Sequence, residues 1–101
     1  MVGMRMERAL AIPCKVWPGW FSNERGVEVD IPGAHNIVIF VDKSDVIVKG
    51  DISAREAVRG WIKIHVIRFE DDSAIVDLPQ PSLTEGTRIK IPKSYIEEMS
   101  L

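Results

Sequence analysis

The chain has 101 residues, 46% of them hydrophobic and 28% charged, with a formal net charge of -2. That length builds one domain with a modest core, and the acidic balance weighs against a general nucleic-acid module. A single cysteine, Cys14, excludes an intramolecular disulfide and a multi-cysteine zinc site, and no apolar run approaches the roughly 18 residues of a membrane span.

Met1 to Leu10 shows no clean period and reads as an N-terminal arm, frayed or helical, ahead of one small β domain over 11–101. Met1 to Arg8 carries arginines without a signal-peptide core, so a soluble cytoplasmic protein is expected. From Ala11 the pattern alternates: Ile12, Cys14 and Val16 face one way, Pro13, Lys15 and Trp17 the other. Pro18-Gly19 ends this strand, and Ser22 to Gly26 is a turn cluster. Val27, Val29 and Ile31 form the second strand of a hairpin, stopped by Pro32-Gly33. In the third strand Ile37, Ile39 and Val41 face one way and Val38 and Phe40 the other, so both faces should be covered. Asp42 to Asp45 turns the chain into the short extension Val46-Ile47-Val48.

Ser53-Ala54-Arg55-Glu56 spells a capping box, and the spacing predicts a short helix over Ala54 to Arg59 closed by Gly60. Trp61 to Phe69 then alternates as one strand, Glu70 to Ser73 turns, and Val76 and Leu78 resume the inward row until Pro79 ends the ladder. Thr87 to Ile91 is a strand with Ile89 and Ile91 inward and Arg88 and Lys90 outward. Ser94-Tyr95-Ile96-Glu97 spells a second capping box, which predicts a helical turn at the end.

The two hairpins read alike. Val29-Asp30-Ile31-Pro32 matches Val76-Asp77-Leu78-Pro79, and Lys43-Ser44 matches Lys93-Ser94. This suggests pseudo-repeated halves, 11–48 and 61–98. Alternating strands ended by proline also look alike by chance. The fold expected is mainly β: a small six-stranded barrel or a two-sheet sandwich with short helical turns.

Ile91-Pro92-Lys93-Ser94-Tyr95-Ile96 resembles the ending of Src-homology-three-type barrels, where a proline and a tyrosine flank a short helical turn. Pro92 and Tyr95 carry over; the resemblance implies a barrel and partner binding. The acidic loop and paired tryptophans of the peptide-binding members have no counterpart, so no proline-peptide groove is implied. Arg88-Ile89-Lys90-Ile91-Pro92-Lys93 is also similar to the strand-to-helix segment of swapped-hairpin, transition-state-regulator antitoxins. That implies DNA binding through Arg88, Lys90 and Lys93.

No metal or phosphate motif is spelled out, and no catalytic residue or cofactor is indicated. His65 lies on the outward row beside Lys63, and His35 reads as a loop residue. Asp30 and Asp77 could face each other across a dyad, which would raise one pKa. Cys14, among apolar neighbours, reads as a small hydrophobe. By parity Trp17, Val38, Phe40, Trp61, Ile67 and Ile75 lie opposite the core. With His65 they form a candidate interface, since left exposed they would exceed the apolar patch a monomer tolerates. The competing reading is a second small core. A basic patch of Lys43, Arg88, Lys90 and Lys93 is a further candidate. The leading expectation is a non-catalytic binding or assembly module, most simply a homodimer, with other protein partners open. The alternatives are a small-molecule binder or enzyme with a site between subunits, lined by Trp17, Trp61 and His65, and an antitoxin-like DNA-binding regulator.

Overall fold

The computed structural model describes residues 8–31, 36–53, 55–84 and 86–100. Residues 1–7 of the expected arm, the Pro32-Gly33 stop, His35 and Ala54 lie outside the described residues. The strands are β1 (Arg8–Pro18), β2 (Glu24–Val29), β3 (Ile37–Asp42), β4 (Val46–Ile47), β5 (Val58–Lys63), β6 (His65–Glu70), β7 (Ser73–Ser82), β8 (Gly86–Pro92) and β9 (Glu97–Ser100). One sheet runs β3-β2-β1-β5-β4 with β9 also beside β1; the other runs β6-β7-β8. The Cα extents are 45 × 36 × 19 Å. The thin dimension suits two sheets packed about 10 Å apart, and the sheets do not close into a barrel.

Period-two alternation explains the core. Ile12, Cys14, Val16, Val27, Val29, Ile31, Ile37, Ile39, Val41, Ile62, Val76, Leu78, Ile89 and Ile91, the inward rows expected from parity, are all buried in one cluster shared by both sheets. Each buried aliphatic side chain of this size contributes roughly 1.5–3 kcal/mol of transfer free energy.

β1 is the hub. Ala11 pairs with both Lys63 of β5 and Glu97 of β9, and Lys15 with both Arg59 of β5 and Glu28 of β2. Since a strand has two edges, β9 and β2 share the edge opposite β5. The Ile64 N–H donates to the Leu10 carbonyl at 2.9 Å, so even-numbered residues of β1 address β5 and odd-numbered ones the other edge. Pro13, which has no N–H to offer, falls in the gap between β9 and β2, where the strand can carry it. Arg8–Leu10, expected in the arm, are the first part of this strand.

Two ribbons, β1-β2-β3 and β6-β7-β8, have matching registers. Lys15 opposes Glu28 as His65 opposes Asp77; Val16 opposes Val27 as Val66 opposes Val76. Val27 opposes Ile39 as Val76 opposes Ile89, and Arg25 opposes Val41 as Ala74 opposes Ile91. Each ribbon leads into a 3-10 turn, Lys43–Asp45 and Lys93–Tyr95. The Lys43 N–H reaches the Asn23 carbonyl at 2.7 Å and the Lys93 N–H the Asp72 carbonyl at 2.8 Å. The strands that follow are exchanged: β4 pairs with β5, which leads into the second ribbon, and β9 pairs with β1 of the first. This register sets Glu28, not Asp30, in the place that Asp77 holds.

Four expectations are corrected. Among the described residues of the helix expected over Ala54 to Arg59 none is helical: Val58, Arg59 and Gly60 open β5. The Ser53 hydroxyl accepts the Arg55 N–H at 3.1 Å, a local turn rather than a helix cap. Gly60 serves a close approach, since a Cβ there would lie 2.8 Å from the Ile47 carbonyl oxygen and 3.0 Å from Val16 Cγ2. The stretch Trp61 to Phe69 is two strands in different sheets, breaking at Ile64. Pro79 does not end its strand. β7 continues through Pro79 and Pro81, its ladder to β8 interrupted between Asp77 and Ser82 where the prolines supply no donors; the Leu83 N–H then turns to the Val38 carbonyl at 3.0 Å and ties the second ribbon to β3. Finally, the helical turn expected near the end is present as the 3-10 turn Lys93–Tyr95, but Pro92 rather than Ser94 holds its cap position, with no side-chain bond, and β9 follows it.

Candidate functional site

The outer face of the first ribbon carries a cross-strand row. Trp17 opposes Gly26, which opposes Phe40. The Trp17 ring lies across Gly26, where a Cβ would meet its Nε1 at 2.2 Å, and it meets Phe40 edge-on with centroids 6.4 Å apart. A glycine in mid-strand, normally a weakness, here gives the indole its bed. Val38 lies on the same outward side of β3, half-buried.

Beyond this row the β1–β2 turn projects Trp20 and Phe21, 87% and 70% exposed. The turn is tied on three sides. The Gly19 N–H reaches the Glu24 carbonyl and the Glu24 N–H the Phe21 carbonyl, both at 3.0 Å; the Trp20 N–H donates to Glu24 Oε1 at 2.7 Å. The neighbouring charges are occupied locally. Arg25 Nη1 donates to the Ser22 and Glu24 carbonyls, and Asp42 accepts from the backbone and hydroxyl of Ser44, which hold its carboxyl below the usual range. Phe21 and Phe40 share a cavity of about 330 Å3 with Gln80. Leu83, 69% exposed, flanks the edge at Val38.

The outer face of the second ribbon is ionic. His65, Asp77 and Arg88 stand in register; Arg88 grips Asp77 with two hydrogen bonds of 2.9 and 3.0 Å. That grip holds the Asp77 carboxyl below its usual pKa and raises Arg88, the reverse of the raised aspartate expected from an Asp30–Asp77 dyad. In the next row Arg68, Ile75 and Lys90 stand in register, with Ile67 the extra residue of a bulge. Glu70 accepts from Arg68 at 2.7 Å and meets Lys90 at 3.6 Å, which lowers its pKa, mainly through Arg68.

The structure therefore divides the candidate interface. Trp17, Val38 and Phe40 belong to one face, His65, Ile67 and Ile75 to another. Trp61 sits apart on β5, its Nε1 donating to Glu97 at 2.8 Å with Lys49 Nζ over its ring at 5.2 Å. The basic residues are divided too. Arg88 and Lys90 are ion-paired, Lys93 Nζ lies 4.9 Å over the Phe69 ring, and Lys43 belongs to the other 3-10 turn. Trp20, Phe21 and Leu83 were missed because turn residues have no strand parity to read; the signal available was two adjacent aromatics within a turn cluster.

Cys14 is buried and its thiol pKa is pushed up to about 12 by burial, which removes the thiolate a nucleophile requires. Among the described residues no group of three or more His, Cys, Asp or Glu side chains could hold a metal ion, and no helix is long and apolar enough to cross a membrane. No family model, curated protein or solved structure matches the chain.

Proposed function

We propose that this protein is a non-catalytic assembly module that pairs with a second copy of itself through the outer face of the first ribbon. The observation that carries this reading is the tied turn holding Trp20 and Phe21 in water beside Trp17 and Phe40. Loop ordering is one of the costs of association, and here the backbone that carries both rings is already tied by hydrogen bonds. Trp20, Phe21 and Leu83 together expose on the order of 500 Å2 of mainly apolar surface, near the top of the roughly 300–600 Å2 seen on monomers. The half-covered Trp17, Val38 and Phe40 extend this face, for a total on the order of 600–700 Å2 against the ~800 Å2 per partner of a standard interface. A two-fold axis through this face would place each turn against the other copy's Trp17–Phe40 row. Engagement of Arg88 and Lys90 by carboxylates weighs against the DNA-regulator reading.

The matching registers also support a duplicated unit, with the two halves exchanging their last strands. A dimer would then add an interface only on the half whose outer face is apolar. Sedimentation velocity from micromolar to submillimolar concentration tests the assembly. Wild type should sediment as a dimer, and a Trp20→Ser, Phe21→Ser double variant as a folded monomer with unchanged far-ultraviolet dichroism, its melting temperature lowered only by the lost association. A wild-type monomer throughout the range, or a dimer indifferent to both substitutions, would sink the reading.

A further inference from the structure

A second cavity lies beside the first 3-10 turn. It is an open groove of about 650 Å3 lined by Arg25, Lys43, Ser44, Val46, Val48, Gly50, Asp51 and Ile52. Its size falls within the range of small-molecule sites. One wall is apolar: Val46, Val48 and Ile52 are half-buried and back onto the core.

The other wall is cationic in a way the fold does not require. Val29, Val27 and Arg25 occupy alternate positions of β2, so Arg25 continues the core-facing row and opposes Val41. The matching position in the second ribbon is Ala74, fully buried opposite Ile91. A half-buried guanidinium at the mouth of an apolar row is costly unless it is paired. Arg25 uses Nη1 on two backbone carbonyls, at 2.9 and 2.8 Å, and among the described residues it has no carboxylate partner. The remaining donors of its planar fork are free to bind.

Lys43 differs from its counterpart in the same sense. Lys93 rests over the Phe69 ring, whereas Lys43 lowers the Asp42 pKa through space and forms no salt bridge among the described residues. It lines the cavity with Arg25. Asp51 is the one acidic residue on the wall, so the rim carries an excess of one positive charge. Ser44, whose hydroxyl already donates to Asp42 at 2.6 Å, retains its oxygen as an acceptor only.

We propose that this cavity binds a small amphipathic carboxylate, its head taken by Arg25 and Lys43 and its hydrocarbon body laid against Val46, Val48 and Ile52. Arg25 also braces the turn of the proposed dimer face through the Ser22 and Glu24 carbonyls, so it is the Lys43→Gln variant, whose side chain makes no bond to that turn, that separates failure of this site from failure of the dimer. Titration with octanoate, octanol and inorganic phosphate, followed by backbone amide chemical shifts, tests it. Octanoate should saturate and move the amides of Ser44, Val46, Val48 and Ile52, with octanol at least about tenfold weaker, the scale of one charge-assisted contact. An Arg25→Gln, Lys43→Gln double variant should weaken octanoate about tenfold or more and leave octanol unchanged. The exposed Lys43→Gln change alone should weaken octanoate severalfold, which keeps the test independent of any folding role of Arg25. Failure of octanoate to saturate, equal binding of octanol, phosphate binding where octanoate does not, or indifference to Lys43→Gln would each overturn the proposal.

Discussion

The row Trp17–Gly26–Phe40 of the first ribbon and the row Arg68–Ile75–Lys90 of the second stand at matching registers on matching outer faces. Their inner faces are interchangeable in kind: Val27, Ile39 and Val41 on one, Val76, Ile89 and Ile91 on the other, all buried. Their outer faces are opposites, an indole laid on a glycine against a phenyl ring in one and two cations flanking an isoleucine and sharing Glu70 in the other. The strand pattern constrains what points inward and leaves the outward side free. The same scaffold therefore carries an aromatic face and an ionic one, and on the second Glu70 and Asp77 neutralise the cations locally.

Three measurements sharpen or break this contrast. The largest effect belongs to the shared interior. Ile39→Ala and Ile89→Ala occupy matching buried positions and should each cost about 2–5 kcal/mol in denaturant unfolding; a severe loss at one and none at the other would mean the sheets do not share a core. Next comes Gly26→Ala. The added methyl must displace the Trp17 ring, for about 1–3 kcal/mol, with loss of near-ultraviolet dichroism from the Trp17–Phe40 pair. Ile75→Ala, at the matching place in the second ribbon, should cost no more than about 1 kcal/mol. Equal costs would show that the indole is not bedded on Gly26.

The smallest effect belongs to the ionic face, because exposed pairs are weak and screened by salt. Asp77 has a folded pKa below its unfolded value of about 3.9. Its contribution is therefore complete above that value and fades as pH falls through the folded pKa. Asp77→Asn should lower the melting temperature slightly at neutral pH, less in high salt, and not at all once Asp77 is protonated. A gap that widens on acidification would contradict the Arg88 pairing.

Much of this fold can be read directly. Wherever strands alternate cleanly, as at Ile12-Cys14-Val16 or Ile89-Ile91, the inward residues follow from parity alone, because side chains one position apart must point to opposite faces. What cannot be read are properties of chain segments far apart. Gly60 has the same spelling as a helix-closing glycine and as a close approach between β5 and the Ile47 carbonyl; only the partner strand decides. Pro79 interrupts the ladder to β8 without ending it, and the backbone stays extended to Ser82, beyond which Leu83 finds an acceptor on β3. The candidate site suffers most. Outward parity finds Trp17 and Phe40 but cannot say that Trp61 is tied to Glu97, that Arg88 is neutralised, or that the most exposed rings sit on a turn. Arg25 reads in the sequence as one residue of a turn cluster, and its place at the end of a core-facing row appears only when it is found opposite Val41, with Ala74 at the matching position.

The exchange of the final strands has a further consequence for how the chain is made. Arg8 lies opposite Ser100, so the first edge of the hub strand stays open during translation until nearly all the described residues have emerged. The larger sheet cannot be completed until β9 has left the ribosome. Late, long-range pairing of this kind slows folding and prolongs the exposure of unpaired edges. Pro13, sited where no donor is wanted, leaves that waiting edge one hydrogen bond poorer as a template for a stray neighbouring chain.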